Sequence, residues 1–166
     1  MNGAYLHLVV NHVPVFGALI GLGLLIYALV RKSPEVQKVS LGIIFLTGLA
    51  GIVAFVTGDP AEEAIRSQPW FSDAILLRHH NTALIALIAS IIGGVVALVT
   101  LVVSHRRKAM VGWLVGLTLA VTAVTALLMG LAADRGAMIR HGEIRSGAAP
   151  VQATAEATRA TANGSH

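Results

Sequence analysis

Four stretches of this chain, 8–30, 39–58, 81–104 and 109–133, contain no Asp, Glu, Lys or Arg. Each can cross a hydrocarbon layer of ~30 Å, which takes ~20 helical residues. A helix on the surface of a water-soluble domain carries a single apolar stripe, whereas these stretches are apolar all round. Lipid offers the backbone no hydrogen-bonding partner, so a spanning segment must be a helix or part of a closed barrel. Apolar runs of this length do not fit the alternating strands of a barrel. The expectation is an all-α membrane protein: a four-transmembrane-helix bundle over residues 1–145 and an Ala/Thr-rich tail, 146–166, too poor in apolar residues to build a core. The first charge is Arg31. Without a positive n-region the first stretch reads as a retained helix, not a cleaved leader.

Between the second and third stretches lies "GDPAEEAIRSQPWFSDAILLRHH". Asp59 before Pro60 resembles an N-cap followed by a first-turn proline, with Glu62 and Glu63 in the first turn. This predicts a short interfacial helix to about Ser67, a break before Pro69, and a restart capped by Ser72. Trp70 and Phe71 suit the headgroup layer, and the segment reads as a lid. Gly17/Gly21, Gly112/Gly116 and Gly93/Gly94 mark faces where helices can approach closely within the bundle or in a homodimer.

An even number of spans puts both termini on one side. The opposite side has two short loops with Arg31, Lys32, Lys38, Arg106, Arg107 and Lys108 against one acid, Glu35. Positive charge near span ends marks the cytoplasm, so both termini are expected in the periplasm of a bacterial inner membrane. The basic residues lie beside the spans, so the net charge of +4 gives no sign of nucleic acid as a partner.

In that arrangement five of the seven histidines, His7, His12, His79, His80 and His141, gather at the terminal side, while His105 lies at the other. Polar groups among apolar side chains need partners, and ionisable residues at membrane spans are candidates for function. There is no cysteine, which excludes thiolate metal sites and covalent haem attachment. Two ligand chemistries remain. A b-type haem takes one or two axial imidazoles in an apolar slot, with Arg78, Arg135 and Arg140 available for its propionates. A Cu, Zn or Fe ion takes three or four ligands, for which His7, His12, His80 and His141 are candidates. On a straight helix His7 and His12 point ~140° apart and differ in depth by ~7 Å. One partner for each imidazole therefore fits better than a shared ion: His12 with His80 for an inner haem, and His7 with His141 for an outer one. Asn11, four residues after His7, could orient that ring.

The start "HLVVNHVP" and the end "RGAMIRHG" resemble a family of bacterial four-helix inner-membrane proteins long classed as a domain of unknown function, with an H-P-x-x-V-H-F-P start and a G-G-x-x-V-Y-x-H-G end. His7, His12, Pro14, Gly136, His141 and Gly142 fall on the pattern. "TGDPAEEAI" and "RHHNTALIA" resemble its middle stretches and align His80 with the family histidine. The resemblance covers about residues 7–145 and departs at Leu8, Arg135 and Arg140. It implies the four-helix architecture and haem or metal ligation, without an assigned activity.

The leading expectation is thus a membrane protein with one or two b haems that transfers electrons near the periplasmic face, in contact with a redox partner. One alternative is a non-catalytic accessory subunit of a larger respiratory or photosynthetic membrane complex; another is a transition-metal binding protein. No nucleophile–base pair or phosphate-cradling loop marks a stand-alone enzyme.

Overall fold

The computed structural model describes residues 3–141, 144 and 145. The tail expected at 146–166, together with Gly142 and His166, lies outside the described residues. The described residues form helices α1 (Gly3–Val10), α2 (His12–Val30), α3 (Pro34–Val56), α4 (Gly58–Ile65), α5 (Asp73–Arg107) and α6 (Gly112–Arg140). α1 runs on into α2 and α3 into α4, giving four rods long and apolar enough to cross a membrane. The chain is an all-α, multi-pass membrane protein.

Both junctions have the same cause. Pro14 and Pro60 lack the N–H that would bond the carbonyls of Val10 and Val56, the last residues of α1 and α3. The residues between, Asn11 (φ −62°, ψ −25°) and Thr57 (φ −79°, ψ −6°), stay right-handed helical, so each rod continues past its interruption. The Pro60 turn lies against α1. A Cβ on Gly3 would come within 2.7 Å of Pro60 Cβ. Asp59 is therefore not a cap. It lies in the first turn of α4, Glu62 and Glu63 fall beyond that turn, and Thr57 is the junction residue. Ser72 does hold the N-cap position of α5, in extended conformation (φ −142°, ψ 114°), but its hydroxyl makes no capping bond.

The rods pack as an antiparallel square in the order α2, α3, α5, α6, with α6 closing loosely on α2. The stripes that face inward are small or hydroxyl-bearing: Pro14, Ala18, Gly21 and Ala28 on α2; Ser40, Thr47, Gly48, Gly51 and Ala54 on α3; Thr82, Ala86, Ser90 and Gly94 on α5; Thr118, Thr122, Thr125 and Ala132 on α6. Leu25, Leu41, Ile44, Leu114, Val115 and Met129 are buried among them, but most large apolar side chains point outward. This inverts the water-soluble pattern, because lipid is as apolar as leucine and close backbone approach becomes the attractive term. Gly48 and Gly94 bring α3 and α5 together: a Cβ on either would lie 3.5 Å from the other's Cα. Gly17 and Gly21 receive Thr47 and Ile44, whereas Gly112 and Gly116 face open space. The interior hydroxyls are not orphans. Thr47, Thr100, Thr118, Thr122 and Thr125 each donate to the carbonyl four residues back, at 2.7–2.9 Å.

The two halves repeat one design. In each hairpin an Arg-Lys pair ends the first rod, and the lysine is left-handed: Lys32 at φ 50° and Lys108 at φ 53°. Both turns close the same way. Ser33 N–H bonds Ala28 O at 2.9 Å, and Ala109 N–H bonds Ser104 O at 3.2 Å. This is the six-to-one bond of a Schellman ending.

Candidate imidazole site

The inward stripes of α2 and α5 can be followed to the end of the bundle remote from the short loops. Stepping back three and four residues from Pro14 leads to Asn11 and His7, and three from Thr82 leads to His79. The structure makes His7 and His79 the half-buried imidazoles, while His12, His80 and His141 are exposed.

Each half-buried ring is anchored to the other rod of its own hairpin. His7 Nδ1 lies 3.0 Å from Ala54 O and 3.2 Å from Thr57 Oγ1. His79 Nδ1 lies 3.0 Å from Ala132 O. A carbonyl can only accept, so Nδ1 carries the proton in both rings, and in the neutral form Nε2 keeps its lone pair. Four residues after each accepting alanine comes a glycine against the same ring. A Cβ on Gly58 would lie 3.8 Å from His7 Cε1, and one on Gly136 would lie 3.1 Å from His79 Cε1. The segments "AFVTG" (54–58) and "AADRG" (132–136) thus form equivalent seats for equivalent histidines. The seats belong to diagonal rods of the square.

The other expected site residues sit around this pair. His12 stacks on Phe16 of its own helix, with ring centroids 6.5 Å apart. His80 tilts against Phe55 at 5.3 Å. His141 is the C-cap of α6, its N–H bonded to Ala137 O at 3.0 Å. Asn11 does not orient His7, whose Nδ1 is taken by Ala54 and Thr57. Instead Asn11 Oδ1 is buried without a donor, alone in this among the described residues. Arg135 donates to Thr82 Oγ1 and reaches Arg78 O at 3.5 Å. Arg140 lies over the Trp70 ring, 4.6 Å from its centroid, and Arg78 is exposed. Among the described residues no three His, Asp or Glu side chains gather to hold a metal ion, so the four histidines expected as one set do not form such a group.

Arg145 plays a part that sequence reasoning missed. Its guanidinium bonds Met138 O and Ile139 O at 2.9 Å and Trp70 O at 3.2 Å. It thereby satisfies the last carbonyls of α6 and fastens the 66–72 segment to that helix. A cation just past a helix end was the available signal.

No family model, no curated protein and no solved structure matches the chain.

Proposed function

We propose that the chain holds a b-type haem between His7 and His79 and transfers electrons close to one face of the bilayer. The observation that carries this reading is the pair of equivalent seats. Two imidazoles from diagonal rods each have Nδ1 fixed by a main-chain carbonyl and Nε2 left with its lone pair to ligate. Anchoring of the distal nitrogen fixes ring rotation and tautomer and raises the basicity of the ligating nitrogen. A set of two suits axial ligation, whereas a zinc-type site takes three or four. The buried, donorless Asn11 Oδ1, one turn inward of His7, adds a polar atom that a bound group could satisfy. Ligated by an imidazole on each side, the iron would supply reversible one-electron chemistry with no open position for substrate. The charge asymmetry supports an orientation with the short loops in the cytoplasm and the histidine layer at the periplasmic side of a bacterial inner membrane.

The test is the oxidised and reduced visible spectrum of the purified protein with a pyridine haemochrome assay. The expected result is stoichiometric haem b, lost in His7→Ala and in His79→Ala. Spectral silence would overturn the reading. Silence with co-purification of a larger membrane complex would assign the accessory role, and stoichiometric copper or zinc without iron would assign metal binding.

A further inference from the structure

The opposite end of the bundle collects cations. Arg31 and Lys32 come from the first short loop, Arg106, Arg107 and Lys108 from the second, and the sole acid there, Glu35, is already paired with Lys38 Nζ at 2.9 Å. At this end a groove of about 370 Å³ is lined by Lys38 of α3 and by Leu101, Val102, Ser104, His105 and Arg106 of α5. Its composition changes along its length. Leu101 and Val102 lie toward the middle of the rod, while Lys38, His105 and Arg106 lie toward its end, where all three are exposed. An apolar floor running into a cationic rim, at the level where a membrane rod leaves the hydrocarbon, has the polarity profile of one anionic phospholipid molecule.

We infer that this groove binds an anionic phospholipid, its phosphate on Arg106, His105 and Lys38 and an acyl chain along Leu101 and Val102. Outside the groove, the same end carries two further cations in an unusual backbone conformation. Lys32 and Lys108 occupy left-handed positions at φ 50° and 53°, where glycine is the unstrained choice. The fold thus carries a cation at two turns where backbone geometry alone favours a residue with no side chain. His105 and Arg106 share this groove with Lys38 of another rod.

The discriminating chemistry is net charge. A zwitterionic lipid offers the same phosphate and chains, but its choline cation meets the Arg106 rim unfavourably. Delipidated full-length protein in detergent is titrated with phosphatidylglycerol, phosphatidylcholine or inorganic phosphate, and bound molecules are counted by native mass spectrometry. The expected result is one phosphatidylglycerol retained roughly tenfold more tightly than phosphatidylcholine, with that preference removed in Lys38→Gln/Arg106→Gln. The charge-matched control Arg31→Gln/Lys32→Gln, outside the groove, should keep it. Equal retention of the two lipids, equal binding of inorganic phosphate, or equal loss in both double variants would overturn the inference; the last would mean diffuse attraction without a site. If the double variant does not fold, Arg106→Gln, at an exposed position, must still lose several-fold.

Discussion

Replacing Gly136 with alanine separates what helix propensity gains from what the imidazole seat loses. The new Cβ would lie 3.1 Å from His79 Cε1 and 3.3 Å from Nδ1, inside the ~3.5–4.0 Å at which carbon atoms attract. The ring must move by a few tenths of an ångström, away from the geometry of its 3.0 Å bond to Ala132 O. Overpacking of this kind costs ~1–3 kcal/mol, against the ~1 kcal/mol that alanine gains over glycine inside a helix. Gly116 of the same helix faces open space, so Gly116→Ala reports the propensity gain alone. Gly136→Ala should therefore fall ~1–3 kcal/mol below it when unfolding in mixed micelles is titrated with a denaturing detergent and followed by circular dichroism. In a His79→Ala background the deficit should vanish, because the ring that the methyl meets is gone. That double-mutant cycle isolates the contact. A Gly136→Ala penalty that persists without His79, or no penalty with it, would refute the seat as described.

Three further outcomes follow from the same geometry. Lys32→Gly and Lys108→Gly each relieve a left-handed non-glycine residue and should stabilise the fold by ~0.5–1 kcal/mol; a loss of stability in the same titration would contradict the strain. Thr57→Val removes the weaker of the two acceptors of His7, 3.2 Å against 3.0 Å for Ala54 O, and should cost below ~1.5 kcal/mol, so a loss of several kcal/mol would make Thr57 the true anchor. Glu35→Gln breaks an exposed ion pair worth ~0–1 kcal/mol. It should leave the unfolding midpoint nearly unchanged while tightening retention of phosphatidylglycerol, and weaker retention would contradict the role given to Lys38.

The four rods are legible because uncharged apolar runs of span length have few other folded outcomes. The interruptions at Val10 and Val56 follow from Pro14 and Pro60, and the short α4 follows from the acids and prolines after Gly58. Which imidazoles turn inward is harder to read. His79 and His80 are neighbours, so composition and depth cannot separate them. Helical phase can, once the inward face of a membrane rod is recognised by small and hydroxyl residues instead of large apolar ones. On α5 the stripe of Thr82, Ala86, Ser90 and Gly94 selects His79, and on α2 that of Pro14, Ala18 and Gly21 selects Asn11 and His7. The depth argument favoured His12 and His80, which the rods turn outward onto Phe16 and Phe55. The carbonyl anchors leave no mark in the sequence beyond the paired Ala-x-x-x-Gly segments, because the main chain supplies the acceptor whatever the residue. The groove beside Lys38 depends on the lateral contact of α3 with α5, which single-helix periodicity does not contain.

The adjacent histidines give the most direct test of the central reading. Purified wild-type protein, His79→Ala and His80→Ala are compared by reduced-minus-oxidised absorption at equal protein concentration. An imidazole pair formed by His7 and His79 predicts a haem b signal in the wild type and in His80→Ala, with loss or conversion to high spin in His79→Ala. The reverse order, with the signal surviving without His79 and failing without His80, would contradict the account.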